Sequence, residues 1–163
     1  MIELKKITIT CSSMKECIAL DVAPHQEDFV YTNAVMLALA YDFNTRGKPM
    51  ECHAVYAGNK MVGLVAYNYY VGDPVFIETC YRIRPLMVDK NHLGKGYEEA
   101  ALQKLLEEIQ TKPHGEATAI FVTYDPEEED IAKLYKAAGF VKTKMDWKAE
   151  DPDDNNIIAR MSM

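Results

Sequence analysis

Two closely spaced glycines give the chain its clearest candidate for binding chemistry. Gly94 and Gly96 precede a segment whose apolar residues recur at helical spacing, which predicts a helix over residues 96–110. Glycine has no Cβ atom, so the backbone can turn sharply and approach a ligand closely. The first turn of the helix adds unpaired N–H groups and the positive end of the helix dipole. This arrangement favours the binding of an anion, most naturally a phosphate group.

Two longer segments, which occur in a fixed order, resemble one enzyme family. The first reads Leu86-Met87-Val88-Asp89 and continues to Gly94-Lys95-Gly96-Tyr97, and the second runs from Tyr124-Asp125-Pro126 through Leu134-Tyr135 to Gly139-Phe140. They resemble the GCN5-related N-acetyltransferase (GNAT) family, and within it the spermine/spermidine acetyltransferase-like branch. The resemblance implies an acetyl-CoA-dependent N-acetyltransferase that acts on a primary amine of a small molecule, with polyamines as the first acceptor class.

The same resemblance assigns contacts with the cosubstrate acetyl-CoA. Backbone groups of Leu86, Met87 and Val88 would bind the pantetheine arm and polarise the thioester carbonyl. The turn and the helix start would enclose the pyrophosphate, and the residues involved are Gly94, Lys95, Gly96, Tyr97, Glu98 and Glu99. Glu128 lies where the family often has an asparagine that binds the arm.

Catalytic residues are also implied. Tyr135 occupies the family position of the general acid, from which a phenol can donate a proton to the departing thiolate. Glu78 and Tyr81 are candidates for the general base, with a water relay as the alternative. Strand alternation puts Glu78 on the same side as Arg82, so an ion pair between them is a structural alternative.

Three residues depart from the family pattern. Leu93 replaces the usual glutamine or arginine, Glu98 replaces a small residue, and Glu128 replaces the asparagine. A carboxylate beside a pyrophosphate adds repulsion, and an ionised glutamate cannot donate a hydrogen bond. A non-catalytic ligand-binding or interaction protein with a degenerate acetyl-CoA site is therefore the alternative function.

Composition restricts the other possibilities. The 163 residues carry a net charge of −7, which argues against nucleic acid as a partner and suits either a cationic substrate or simple solubility. No apolar run reaches the ~18 residues that a membrane span needs. The four cysteines have no C-x-x-C spacing and the four histidines are scattered, so we expect no metal site and a cytoplasmic location. The family resemblance adds the expectation of a homodimer.

Periodicity predicts the elements that must position these residues. We expect strands over residues 4–10, 50–56, 61–70, 75–88, 117–124, 140–147 and 157–161, and helices from 14 to about 20, over 28–41, 96–110 and 128–138. This order indicates one α/β domain over residues 1–163, with a mixed, largely antiparallel central sheet flanked by helices. The resemblance adds a splayed strand pair that forms the cofactor cleft. Pro85, which has no N–H, suits a bulge or an ordinary strand end.

Overall fold

The computed structural model describes residues 1–7, 11–27, 29–145 and 155–163. Its strands are β1 (Ile2–Lys6), β2 (Met50–Ala57), β3 (Lys60–Tyr70), β4 (Cys80–Ile83), β5 (Met87–Val88), β6 (Ala119–Tyr124), β7 (Val141–Lys142) and β8 (Ile157–Ser162). Its helices are α1 (Cys11–Ala19), α2 (Asn33–Thr45), α3 (Tyr97–Gln110) and α4 (Glu129–Ala137), with 3₁₀ turns at Pro24–Gln26 and Lys90–His92. Parts of three predicted elements, at residues 8–10, 28 and 146–147, lie outside the described residues.

The strands form one mixed sheet in the order β1-β2-β3-β4-β6-β8-β7. Neighbouring strands run antiparallel except β4 and β6, which are parallel. β5 pairs with β3 outside this order. The prediction of a mixed, largely antiparallel α/β fold is therefore confirmed.

Apolar clusters fill both faces of the sheet. α3 buries Leu102, Leu105 and Ile109, at the spacing of one helix face, together with Val65 and Val122 of the sheet. α1 and α2 cover the opposite face, where buried residues of the helices and the sheet form a second cluster: Cys17, Met36, Ala40, Cys52, Leu64 and Met87. None of the described helices is long and apolar enough to cross a membrane.

The predicted strand over residues 75–88 is wrong as one element. Residues 74–76 form a turn, in which the Asp73 carboxylate accepts hydrogen bonds from the N–H groups of Val75 at 2.9 Å and Phe76 at 3.3 Å, and the strand begins only at Cys80. Ile77 has a φ of +58°, a conformation that a β-branched residue rarely adopts and that no strand can contain. An aspartate that binds its own backbone thus outweighs the β propensity of the residues after it.

The second helix begins and ends later than predicted. Thr32 is its N-cap, and its hydroxyl accepts a hydrogen bond from the N–H of Val35 at 3.4 Å. The helix continues to Thr45, next to Asn44, whose side chain binds the backbone of Met50 on the following strand. This contact ties the end of α2 to the start of β2.

A bulge separates β4 from β5. Ile83 pairs with Tyr67 and Met87 pairs with Leu64, so three residues on one strand lie opposite two on β3. Pro85 is the middle residue of the three and cannot donate a ladder hydrogen bond. The structure thus places Pro85 in a bulge.

Gly63 allows β5 to rejoin β3 after this bulge. A Cβ atom at position 63 would overlap the carbonyl oxygen of Met87 and lie 3.3 Å from the Cα atom of Val88. Just beyond, the N–H of Asp89 donates to the carbonyl of Val62 at 2.8 Å. Only glycine permits this approach of the two backbones.

We predict that Gly63→Ala lowers the free energy of unfolding by about 1–3 kcal/mol, the usual cost of overpacking a well-packed site. Hydrogen exchange of the Asp89 amide is expected to accelerate, because β5 is pushed away from β3. Gly58→Ala is the control, since Gly58 lies in the turn between β2 and β3 with a φ of +63° and open space around it. It should cost backbone strain but leave the exchange of Asp89 protected. Unchanged exchange in Gly63→Ala would contradict the close-approach argument.

Candidate functional site

The sheet opens next to the bulge. β4 and β6 stay paired up to Ile83 and Val122, but β5 is paired with β3 and not with β6 in the described part of the chain. Residues 123 and 124 of β6 continue beside β8. The backbone groups of β5 and β6 that face each other across this opening are therefore not used in a strand ladder, and they are free to bind a ligand.

A cavity of about 790 Å³ lies at this opening. Its wall combines β5, the glycine turn, the N-terminal ends of α3 and α4, and the connection between α1 and α2. The lining residues are His25, Gln26, Phe29, Leu86, Val88, Leu93, Gly94, Gly96, Glu98, Glu99, Glu127, Glu128, Glu129, Asp130, Ile131 and Leu134. This volume is in the range of small-molecule and cofactor sites.

The glycine turn leaves the N-terminal end of α3 uncapped. Gly94 and Gly96 have φ values of +72° and +71°, and a Cβ atom at either position would meet open space. Gly96 is the N-cap residue and supplies no side-chain cap, while the N–H of Ala100 makes the first helical bond back to Gly96 at 3.2 Å. The N–H groups before Ala100 thus have no acceptor within the helix and can bind an anion.

Asp89 holds this turn in position. Its carboxylate accepts hydrogen bonds from the N–H of Asn91 at 3.0 Å and from the N–H of Asp21 at 3.1 Å. Lys90 adds an ion pair with Asp21, with 2.7 Å between Nζ and Oδ2. The loop after β5 is therefore joined to the segment after α1, and both flank the cavity.

The charge of the cavity wall is strongly negative. Six carboxylates line it, Glu98, Glu99, Glu127, Glu128, Glu129 and Asp130, and neither lysine nor arginine is among the lining residues of the described chain. Lys133, outside the lining, pairs with Glu129 and Asp130 and offsets part of this charge. Burial raises the pKa of Glu128, although a hydrogen bond from the backbone of Asp125 opposes part of this rise. The exposed Nζ of Lys95 lies just outside, 3.4 Å from Nδ1 of His92. The described residues contain no cluster that could hold a metal ion.

Seven of the predicted cofactor-binding residues line the cavity, and three do not. The seven are Leu86, Val88, Gly94, Gly96, Glu98, Glu99 and Glu128. Met87 points to the opposite face of the sheet, where its sulfur lies 3.7 Å from Nδ2 of Asn33. Lys95 and Tyr97 flank the turn outside the cavity wall, and the ring of Tyr97 lies 6.3 Å from that of His92.

Tyr135 lies behind the cavity wall. Its residue is 2% exposed, and its ring packs against the rings of Tyr124 and Phe140 at centroid distances of 5.7 and 5.6 Å. Its hydroxyl has no hydrogen-bond partner among the described residues. Burial raises the pKa of Tyr135, so the phenol holds its proton at neutral pH. Leu134 and Ile131, on the same helix, reach the cavity itself.

Glu78 lies outside the cavity and is already paired. Its carboxylate accepts hydrogen bonds from Nε of Arg160 at 2.8 Å, from Nη2 of Arg160 at 3.0 Å and from the hydroxyl of Thr118. The hydrogen bonds from Arg160 are the main cause of the lowered pKa of Glu78. The ion pair considered with Arg82 is thus formed with Arg160 instead, because β8 brings that residue beside the start of β4.

Sequence reasoning missed the connection between α1 and α2. His25, Gln26 and Phe29 line the cavity, although that segment has neither a charge cluster nor a glycine turn. Only the tertiary structure brings it against β5 and α4, so no local pattern could have identified it.

Solved structures share this fold over almost the whole chain. The ribosomal L7/L12 α-N-protein acetyltransferase RimL, solved with coenzyme A, has a TM-score of 0.70 at 12% identity, with 99% of this chain and 94% of that chain covered. The PaiA N-acetyltransferase of Thermoplasma acidophilum, also with coenzyme A, has a TM-score of 0.67 at 10% identity, with 100% and 99% covered. An acetyltransferase of the GNAT family from Bacillus cereus has a TM-score of 0.64 at 19% identity, with 99% and 97% covered.

The family follows from the sequence match. The model of the acetyltransferase (GNAT) family matches residues 16–140, which is most of the chain. The protein therefore belongs to the GNAT acetyltransferase family. No match to a curated protein sequence was found.

The backbone of the site suits acetyl-CoA, whereas the negative charge of its wall disfavours the phosphate groups of acetyl-CoA. The uncapped N–H groups of α3 and the open space over Gly94 and Gly96 suit a diphosphate. The opening between β5 and β6 suits an extended arm with amide groups. The six carboxylates reduce the attraction for the phosphates, which sets the strength of binding rather than its geometry.

We predict that Glu98→Gln tightens acetyl-CoA binding about two- to fivefold, because a half-buried carboxylate near a phosphate costs about 0.3–1 kcal/mol. Calorimetric titration at low and high salt measures the effect, which should shrink as salt screens the charges. Glu107→Gln is the matched control: Glu107 belongs to the same helix but pairs with Lys104 outside the cavity. Equal affinity in the wild type and Glu98→Gln would show that the side chain does not face the phosphates.

A second prediction concerns pH. Because the pKa of Glu128 is raised, its carboxylate takes up a proton at a higher pH than an ordinary glutamate. Acetyl-CoA affinity should therefore rise as pH falls from 7 to 5, and this rise should be smaller in Glu128→Gln, which has no charge to lose. Titrations of both proteins at each pH check this, since titration of the ligand is common to both. Parallel pH profiles would exclude Glu128 from the contact.

Proposed function

We propose that this protein is an acetyl-CoA-dependent N-acetyltransferase that acts on the primary amine of a small molecule. The observation that carries the proposal is the opening between β5 and β6 beside the uncapped, glycine-hinged end of α3. Backbone groups of Leu86 to Val88 bind the pantetheine arm in this proposal, and the N–H groups at the start of α3 bind the diphosphate.

Bound acetyl-CoA supplies the acetyl group as a thioester. The amide bond that forms joins the acceptor nitrogen to the acetyl carbon, and the C–S bond breaks. The hydroxyl of Tyr135, which is protonated at neutral pH and has no other partner among the described residues, donates its proton to the thiolate that leaves. The apolar rings around Tyr135 keep water away from this proton transfer.

The acceptor must lose a proton before it attacks. Glu78, predicted as a base from the sequence, is left out of this proposal, since Arg160 and Thr118 occupy its carboxylate outside the cavity. In this proposal a water relay, the alternative considered from the sequence, carries the proton of the acceptor to solvent without a dedicated side chain. Polyamines, the acceptor class that the family resemblance suggested, belong in the panel of amines to assay. A cytoplasmic homodimer also remains a prediction.

A specific observation also favours a second function. The six carboxylates in the cavity wall would suit a non-catalytic relative that has lost acetyl-CoA. Calorimetric titration with acetyl-CoA and a thiol-release assay with a panel of amines separate the two. Binding with turnover of any amine supports the enzyme, whereas no heat at millimolar acetyl-CoA supports the non-catalytic protein.

We predict that Tyr135→Phe lowers kcat by about 10²-fold, the usual contribution of a general acid, while the Kd of acetyl-CoA stays unchanged. Tyr124→Phe is the control, because it removes a phenol from the same aromatic cluster, and Tyr124 has no assigned catalytic role. Its kcat should remain close to that of the wild type. A wild-type kcat in Tyr135→Phe at saturating substrate would remove Tyr135 from the mechanism.

A further inference from the structure

A buried arginine lies within the bulge beside the opening. The residue Arg84 is 7% exposed, and its side chain lies on the α2 face of the sheet. Its Nε donates to Oδ1 of Asn68 at 2.6 Å and its Nη2 donates to the hydroxyl of Tyr70 at 3.3 Å. The guanidinium also lies 5.2 Å from the ring centroid of Phe43 on α2.

Every one of these partners is neutral. Among the described residues, no carboxylate forms an ion pair with Arg84, whereas Arg160 is paired with Glu78 and Arg46 with Asp42. Nη1 of Arg84 has no hydrogen-bond partner in the described chain, and it is not fully enclosed by protein atoms. Buried charges are normally compensated by an opposite charge, so the guanidinium of Arg84 would gain from an anionic ligand.

The partners of Arg84 also fix its geometry. Asn68 is fully buried, and its Nδ2 donates to the carbonyl of Pro49 at 3.5 Å, which turns Oδ1 towards the guanidinium. The stacked ring of Phe43 restricts the guanidinium on one side. A guanidinium that is held in place, with both N–H donors of Nη1 unused at an accessible edge, is prepared to bind a carboxylate.

The position of Arg84 relates it to the opening. Leu86, two residues further along, lines the cavity, and a strand advances roughly 7 Å in two residues. On the same face, Nη2 of Arg82 donates to the hydroxyl of Thr123 at 3.1 Å, on the part of β6 that borders the opening. Both arginine side chains thus lie on the α2 side of the opening.

We infer that Arg84 binds a carboxylate of the acceptor, so that the acceptor is an amino acid or a similar amine that carries a carboxylate several bonds from the reacting nitrogen. This inference rests on the proposed function and names its substrate class. It favours such an amine over a polyamine, because Arg84 is buried and forms no ion pair with a carboxylate of the described residues.

Matched pairs of amines test the inference. L-Lysine and cadaverine differ only by the α-carboxylate, and 6-aminohexanoate and pentylamine differ only by the terminal carboxylate. We expect the wild type to acetylate the carboxylate-bearing member of at least one pair about 10- to 100-fold more efficiently in kcat/KM, the range of a charge-assisted hydrogen bond. Equal efficiency within both pairs, or a preference for cadaverine and pentylamine, would overturn it.

Variants then assign the preference to Arg84. Arg84→Gln should reduce kcat/KM for the carboxylate-bearing amines alone, through KM, and Arg84→Lys should restore part of the preference. Arg46→Gln is the matched control, because Arg46 stacks on the same Phe43 ring at 5.1 Å but is exposed and paired with Asp42. A loss that is equal for both members of a pair would show a purely structural role for Arg84.

The two proposals can fail separately. Titration with acetyl-CoA reports on the proposed function and does not involve Arg84. If no amine is acetylated, calorimetric titration with 6-aminohexanoate and pentylamine decides the inference: heat from 6-aminohexanoate alone, lost in Arg84→Gln, supports it. Absence of heat from both amines would overturn it.

Discussion

Three residues, Arg84 to Leu86, lie opposite two residues of β3, and Pro85 among them has no N–H to donate. A sheet cannot keep all its ladders across such a mismatch, so β5 stays with β3 and separates from β6. Gly63 lets the backbone of β5 come close enough to pair with β3. The cavity, the turn that follows β5 and the direction of α3 all depend on that separation.

The N-terminal ends of two helices meet at the opening. The carboxylates that stabilise these helix ends also weaken the binding of an anion there. Glu98 and Glu99 lie in the first turn of α3, and Glu129 and Asp130 in the first turn of α4. Each stabilises its own helix by about 0.3–1 kcal/mol through the helix dipole. The same four side chains line the cavity, where they repel phosphate groups. These carboxylates thus offset part of the positive potential that the N–H groups present to an anion.

Local sequence patterns were sufficient where an element depends on its own residues. The hairpin of β2 and β3 and the helix α3 formed close to their predicted bounds, because alternation and helical spacing are visible over ten or more residues. The glycine turn was predictable because helical spacing begins directly after Gly94 and Gly96.

Patterns failed where a local turn interrupts a strand or where distant residues decide the contact. The strand predicted over 75–88 is interrupted by the turn at Asp73 and by the bulge, and neither interruption changes hydrophobicity. Glu78 is paired with Arg160, 82 positions away, and not with its strand neighbour Arg82. The seven predicted residues that line the cavity came from a family pattern, whereas His25 and Phe29 required the packing of the α1–α2 connection.

Opposite charges on the two sides of the opening explain why the acceptor should be zwitterionic. Burial is the main cause of the raised pKa of Tyr135, while Glu128 raises it further and Arg82 lowers it, so charges of both signs act on the phenol. A molecule with one ammonium and one carboxylate gains from both groups when its carboxylate points to the arginines and its nitrogen points to the opening. That orientation brings the nitrogen towards the thioester, whereas a diamine gains on one side only and is repelled on the other.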